Sequence, residues 1–262
     1  MTTEPASTPL SAPSRHARGP ASTAELVAGV KNGVLLALTV AVLVLPAWPV
    51  DRLTPSASDI RTVPIAAAPP TRRGADFGAT LASTDARLIA DWVAVSGDNG
   101  RLPFAIVDKR GARTYVFDAG ARLMGSSLVL LGSAAGDDSA DGIGSRRLAD
   151  VRPQERTTAA GRFVSEPGHD ETGEEVVWID YAAALALHRV KVIDPKEHRL
   201  QRIATDSIED KRITNGCINV PRGFFDSIVK PWLGHSEAIV YVLPETKPLD
   251  QTFPAAFVTA LR

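Results

Sequence analysis

The chain has 262 residues, of which 44% are hydrophobic, and its 29 Lys and Arg residues nearly balance its 30 Asp and Glu residues. The net charge of −1, with the basic residues scattered, argues against a nucleic-acid partner. A single cysteine excludes a disulfide framework and a cysteine-rich zinc site, and no two of the five histidines are spaced i, i+4. We therefore expect no metal and no organic cofactor.

The N-terminal part of the chain is predicted to export the rest. Residues 1–28, rich in Ser, Thr, Pro and Ala, predict a disordered cytoplasmic N-terminus. Residues 29–50 contain an uncharged apolar run from Val34 to Val50, preceded by Lys31, which is typical of a signal anchor or a signal peptide. Residues 51–75 form a Pro/Ala-rich linker. The pattern predicts a periplasmic or cell-envelope domain, and retention as an inner-membrane anchor is favoured over cleavage.

A helix is expected to open the folded domain, which we place at residues 76–246, with residues 247–262 as a C-terminal tail. Ser83 is a suitable N-cap, and Gly97 is a suitable stop. The apolar positions between them recur at helical spacing: Leu88, Ile89, Trp92, Val93 and Val95.

The rest of the domain is predicted to be mainly β. Short apolar runs separated by Gly, Asp and Asn predict strands at residues 104–107, 114–117, 128–131, 176–179 and 239–242. Residues 108–111 predict a hairpin turn, and the polar segments 132–144 and 166–175 predict loops. The expected fold is mainly β with short helices, and mostly antiparallel.

The lone cysteine, Cys217, is the first candidate for chemistry. A helix should begin after Pro221 and end at Pro231 and Gly234, which places Cys217 on a turn between a strand and a helix. Gly216 allows a sharp turn and would leave its own amide and that of Cys217 free to stabilise an oxyanion. The alternative is that Cys217 is a small buried apolar residue with no catalytic role.

A cysteine nucleophile needs a base, and two upstream histidines could provide it. His188 lies 29 residues before Cys217 and ends an apolar run, where a strand could orient its imidazole. His198 lies 19 residues before Cys217, within a charged run. We prefer His188 and keep His198 as the reserve, and we interpret His169 and His235 as incidental.

Two segments carry a resemblance to a known family. Residues 214–219, Thr-Asn-Gly-Cys-Ile-Asn, resemble the [Ser/Thr]-His-Gly-Cys-aliphatic-[Arg/Asn] signature of the YkuD-type L,D-transpeptidases. Residues 157–163 are similar to the Thr-Pro-x-Gly-x-aromatic segment of that family. The resemblance runs from about Phe104 to Glu245 and implies a β-sandwich-like L,D-transpeptidase catalytic domain.

The resemblance also implies an activity in peptidoglycan biosynthesis, and so in cell-wall organisation and cell shape. Cys217 would attack the bond between the third and fourth residues of a peptidoglycan stem peptide, and the thioester would pass to an amine or, as an L,D-carboxypeptidase, to water. His188 would be the general base, Gly216 and the Cys217 amide would form part of the oxyanion hole, and Thr214 and Asn219 would shape the turn. The implied partners are stem peptides and, through the N-terminal segment, the membrane.

The chain departs from the family pattern at three points. It has Asn215 where the family has His, and Ala159 where the family has Pro. The separation of 29 residues between His188 and Cys217 is longer than usual, so spacing alone favours His198.

A sortase is another class with His before Cys, but residues 213–217 do not supply its Thr-Leu-x-Thr-Cys strand. The non-enzymatic alternative is a catalytically inactive peptidoglycan-binding or scaffolding module.

Overall fold

The computed structural model describes residues 74–259. The predictions for residues 1–73 (the disordered N-terminus, the signal segment and most of the linker) lie outside the described residues. Within 74–259, no helix has both the length and the apolar character needed to cross a membrane.

Ten strands and several short helices make up the described chain. The strands are β1 (Phe104–Asp108), β2 (Arg113–Phe117), β3 (Leu123–Leu128), β4 (Leu131–Gly132), β5 (Gly161–His169), β6 (Glu175–Asp180), β7 (Leu185–Arg189), β8 (Arg212–Thr214), β9 (Ile218–Val220) and β10 (Ala238–Val242). The α-helices are α1 (Thr84–Ser96), α2 (Arg199–Ala204), α3 (Arg222–Phe224), α4 (Lys230–Leu233), α5 (Leu249–Thr252) and α6 (Pro254–Thr259), with a π-helical turn at Phe225–Val229 between α3 and α4. The prediction of a mainly β fold with short helices is confirmed.

Eight strands form one sheet in the order β3-β2-β1-β10-β5-β6-β7-β9, and β4 pairs with β8. The long strand β5 divides this sheet into two halves, because residues 161–165 pair with β10 whereas residues 166–169 pair with β6. One apolar core contains side chains from both halves, including Val107 and Val240 from the first and Leu187 and Ile218 from the second. The two halves therefore face each other across a shared core, as in a β-sandwich.

The other face of the first half is covered by α1. Ser83 caps the helix by accepting a hydrogen bond from the Ala86 amide, and Gly97 ends it in the left-handed conformation with φ 70°, as predicted. Alternate residues of β1 and β10 point to this second core, which also includes Phe253 and Ala256. The segment expected to be a C-terminal tail thus packs on the domain through α5 and α6, because it supplies apolar side chains to this core.

Several boundaries differ from the predictions. Five of the seven strand pairs in the eight-stranded sheet are antiparallel, as predicted, and the pairs β1–β10 and β7–β9 are parallel. Residues 166–169, predicted as a loop, extend β5, and their polar composition reflects a largely solvent-facing strand. The predicted strand at 128–131 is split between β3 and β4, which belong to different sheets. Pro231 does not end the helix. The π-helical turn ends at Val229 and α4 begins at Lys230, so Pro231 lies in the first turn of α4, where a helix tolerates a missing N–H.

Candidate active site

Cys217 lies on the turn between β8 and β9, and two threonines hold this turn in place. Thr214 Oγ1 donates to the Cys217 carbonyl oxygen at 2.7 Å and accepts from the Gly216 amide at 3.2 Å. Thr158 Oγ1 donates to the Gly216 carbonyl oxygen at 2.7 Å. The Gly216 N–H is therefore already donated to Thr214, which differs from the expectation that both amides of the turn are free.

Glycine is required at position 216 for two reasons. Its φ of 135° lies in a region that side-chain-bearing residues rarely adopt. A Cβ atom there would also lie 2.9 Å from the Thr157 carbonyl oxygen. The segment around Thr157, singled out by its family resemblance, thus lies directly against the cysteine turn.

The Cys217 thiol is half-buried and neutral at rest. Its Sγ donates to the carbonyl oxygen of Ala184, the residue just before β7, at 3.3 Å. Burial raises the pKa of the thiol, and this effect exceeds the opposing effects of the Ala186 backbone amide and the Arg199 charge. At neutral pH the side chain is a thiol, so it would have to lose its proton before it could act as a nucleophile.

His188 lies on β7, next to the strand that follows the cysteine. The parallel register of β7 and β9 places Leu187 opposite Ile218 and His188 opposite Asn219. Leu187 and Ile218 point into the core between the halves, so His188 and Asn219 project from the opposite face. Cys217, one residue before Ile218, projects from that same face.

The tautomer of His188 follows from its neighbours. Arg199 Nη1 donates to Asn219 Oδ1 at 3.2 Å, so the Asn219 amide must present its Nδ2 to the histidine. Asn219 Nδ2 lies 3.1 Å from His188 Nε2, which therefore accepts. The proton is on Nδ1, which donates to the Arg189 carbonyl oxygen at 2.8 Å. The lone pair needed by a general base thus resides on Nε2, where Asn219 occupies it at rest.

The imidazole of His188 is also neutral at rest. Burial lowers its pKa, and the charges of Lys191 and Arg199 act in the same direction, while the hydrogen bond to the Arg189 carbonyl opposes them. The imidazole of His188 and the thiol of Cys217 are thus both uncharged at rest.

Cys217 and His188 line the same cleft, with a volume of about 520 Å³. Three other residues singled out from the sequence also line the cleft: Thr214, Asn215 and Asn219. His198 does not line the cleft; it is exposed, has a φ of 50°, and precedes α2. The remaining lining residues are Ile143, Gly144, Arg146, Arg147, Leu148, Val151, Glu171, Ala183, Ala184, Ile193 and Arg199.

Sequence reasoning missed two residues that hold this site. Arg199 is 6% exposed, although it belongs to a charged run that is typical of a solvated surface. Its Nε donates to Glu197 Oε2 at 2.6 Å, and its Nη1 reaches Asn219. Thr158 is fully buried under the cysteine turn, and only its place in the Thr-x-x-Gly-like segment could have indicated it. Within residues 74–259, no group of three or more His, Cys, Asp or Glu side chains is placed to hold a metal ion.

No protein-family model matches the chain, and no curated protein matches its sequence. Solved structures do resemble it. The helical cell shape determining protein Pgp2 from Campylobacter jejuni is 14% identical, with a TM-score of 0.39 over 68% of this chain and 62% of that one. An L,D-transpeptidase from Xylanimonas cellulosilytica is 14% identical, with a TM-score of 0.34 over 54% and 60% of the two chains. An L,D-transpeptidase from Enterococcus faecium is 14% identical, with a TM-score of 0.31 over 54% and 49%. The chain thus spans less than two thirds of the length of each.

Proposed function

We propose that the chain is an exported L,D-transpeptidase, a cysteine acyltransferase that acts on peptidoglycan stem peptides through a Cys217 thioester. The observation that carries this proposal is the shared cleft of Cys217 and His188, whose positions follow from the register of β7 and β9. The signature around Cys217 supplies the substrate class, and the N-terminal segment supplies the location.

The first half-reaction begins with a proton transfer. A bound stem peptide displaces Asn219 from His188 Nε2, and Nε2 then takes the proton of the Cys217 thiol. The thiolate attacks the carbonyl carbon of the third stem residue, while the Cys217 N–H stabilises the oxyanion. When the tetrahedral intermediate collapses, the imidazolium returns the proton to the amide nitrogen of the fourth residue, which leaves as a free amino acid.

The second half-reaction reverses these roles. An acceptor amine, or water, gives its proton to His188 Nε2 as it attacks the thioester carbonyl. Cys217 then leaves as a thiolate and recovers the proton from His188. Transfer to an amine is transpeptidation, and transfer to water is L,D-carboxypeptidase activity.

One set of contacts favours a second candidate, a module that keeps the fold and binds peptidoglycan without turnover. The thiol is hydrogen-bonded to the Ala184 carbonyl, and the two ring nitrogens of His188 are engaged by Arg189 and Asn219. If these contacts persist when a stem peptide binds, the proton transfer cannot start.

The test is turnover of a tetrapeptide stem by the full-length chain in detergent, followed by mass spectrometry. We expect loss of the fourth residue, and an acylated enzyme whose mass adduct disappears in Cys217→Ala. His188→Ala should abolish turnover, whereas His198→Ala, which changes an exposed histidine of the crossover from β7 to β9, should leave turnover within about twofold of the wild type. A Cys217→Ala protein with full activity would refute the proposal. A wild-type chain that binds stem peptides and never becomes acylated would establish the scaffolding module instead.

The export part of the proposal has its own test. A reporter enzyme that is active only outside the cytoplasm, fused after residue 75, should be active with residues 29–50 present and inactive without them. Activity that is independent of residues 29–50 would contradict export by this segment.

A further inference from the structure

We propose that Trp178 and Tyr181 form a saccharide-binding subsite beside the cleft, which holds the sugar to which the stem peptide is attached. This inference rests on the proposed function, because it assigns the glycan part of the same substrate to a second group of residues.

The two aromatic rings lie on the same face of the sheet as the cysteine. Trp178 on β6 pairs with Ala186 on β7. Ala186 comes directly before Leu187, and Cys217 comes directly before Ile218, the residue that pairs with Leu187. Because Leu187 and Ile218 face the core, Ala186, Trp178 and Cys217 all project from the other face. The three positions therefore form a row across β9, β7 and β6.

The length of the row matches the length of the substrate. Neighbouring strands are about 4.8 Å apart, so Trp178 lies roughly 10 Å from Cys217 along the row. The Cys217 thiol would attack the carbonyl of the third stem residue, and three extended residues span about 10 Å. A stem peptide whose third residue lies at Cys217 would thus have its sugar-bearing end within reach of Trp178 and Tyr181.

The aromatic pair has the form of a stacking platform. Trp178 and Tyr181 are stacked, with ring centroids 4.6 Å apart and an interplanar angle of 25°. Tyr181 is 59% exposed, so its ring is open to solvent. The C–H-rich face of a pyranose ring can lie against such a surface, as apolar groups do on aromatic rings.

Two further residues suit this role. Gly168 on β5 leaves room for the pair, because a Cβ atom there would lie 2.6 Å from Trp178 Cδ1 and 3.3 Å from the Tyr181 hydroxyl. Glu166 is exposed and lies opposite Trp178 in the β5–β6 register. Its carboxylate would accept hydrogen bonds from sugar hydroxyl groups beside the platform.

The turn after β6 connects the platform to the reaction centre. The Ala184 amide donates to the Tyr181 carbonyl at 3.2 Å, which closes this turn, and the Ala184 carbonyl accepts from the Cys217 thiol. Ala183 and Ala184 line the cleft, so the platform continues from its rim. A sugar on Tyr181 and a peptide at Cys217 would be held by one short segment of chain.

The subsite is tested by binding, without turnover. The full-length chain in detergent is titrated with the peptide-free disaccharide of N-acetylglucosamine and N-acetylmuramic acid, and tryptophan fluorescence is measured. We expect saturable binding that Tyr181→Ala weakens by about three- to tenfold. Tyr181→Phe keeps the ring and should bind like the wild type, as should Leu81→Ala, which removes another exposed apolar side chain (87% exposed). No binding by the wild type, or equal binding by Tyr181→Ala, overturns the subsite.

Kinetics provide the second measurement. Tyr181→Ala should lower kcat/KM for a disaccharide-linked tetrapeptide and leave kcat/KM for the free tetrapeptide within about twofold. Equal losses on both substrates would contradict a saccharide role. A chain that binds the disaccharide through Tyr181 but turns over neither peptide would refute the proposed function and keep the subsite. A chain that turns over the tetrapeptide but does not bind the disaccharide would do the reverse.

Discussion

Replacement of Gly216 by alanine is the sharpest test of how the cysteine turn is built. The φ of 135° at this residue is strained for alanine, at a cost of about 1–3 kcal/mol. The new Cβ would lie 2.9 Å from the Thr157 carbonyl oxygen, a backbone atom that can move only with its segment. That movement endangers the Thr158–Gly216 hydrogen bond, worth about 1 kcal/mol. We expect a total loss of about 2–4 kcal/mol in the free energy of unfolding.

The measurement is urea unfolding at pH 7 followed by tryptophan fluorescence, together with a thermal scan. For a domain of this size each kcal/mol corresponds to about 2–4 °C, so Tm should fall by roughly 4–16 °C. Gly223→Ala is the matched control, because Gly223 is helical and exposed, and a Cβ atom there meets nothing within 4 Å. It should stabilise the chain by about 0.5–1 kcal/mol.

Gly216→Ala has an equally clear refutation. If its free energy of unfolding stayed within about 0.5 kcal/mol of the wild type, the turn would not hold the conformation described, since neither the φ nor the contact with Thr157 would be real constraints. A gain in stability like that expected of Gly223→Ala would lead to the same conclusion. A large loss in Gly216→Ala alone supports the turn on which the position of Cys217 depends.

Three further outcomes follow from buried polar contacts. Asn219→Ala removes the donor that stabilises neutral His188, so the pKa of His188 should rise, as measured by an NMR titration of its ring protons; an unchanged or lower pKa would contradict the tautomer assigned here. Lys109→Met leaves the buried Asp137 without the ammonium group that lies 2.6 Å away, which should cost about 3–5 kcal/mol in urea unfolding; a loss below about 1 kcal/mol would show that the pair is not buried as described. The Lys109 ammonium and hydrogen bonds from residues 245–247 outweigh burial and lower the pKa of Asp137, so its contribution to stability is present above the unfolded pKa of about 3.9 and is lost as the pH falls below it. The free energy of unfolding should therefore fall less steeply with decreasing pH in Lys109→Met than in the wild type. An unchanged pH dependence would show that other groups cause the acid sensitivity.

The sequence predicted those elements in which the burial of side chains follows a simple pattern along the chain. β1 and β10 are buried on both faces, and so each reads as an unbroken apolar run. Helix α1 was predicted with both its caps, since its N-cap serine and C-cap glycine act through local hydrogen bonds. No part of β5 was predicted as a strand, and its second half was predicted as a loop, because its exposed face carries polar residues and a glycine.

The supports of the candidate site were less accessible to sequence reasoning. Arg199 is buried by the start of α2, and nothing in its charged neighbourhood distinguishes it from a surface arginine. Lys109 was part of a predicted hairpin turn, and yet its ammonium is buried against Asp137 and the Thr158 carbonyl. These contacts join residues that are distant along the chain, and no local pattern records such a pairing.

The position of His188 shows why strand register, rather than spacing along the chain, predicts which histidine shares a face of the sheet with the cysteine. Doubling the length of a loop costs only about 0.6 kcal/mol, so the crossover from β7 to β9 can lengthen with little effect on stability. A shift of one residue in the β7–β9 register would instead move every side chain of β9 to the other face and bury Asn219 in the core. The register is therefore held by the apolar partners Leu187 and Ile218, and it keeps His188 on the face of Cys217 whatever the crossover contains. A crossover of this length can also carry a support such as Arg199, which reaches back to Asn219 from the segment that the spacing rule would exclude.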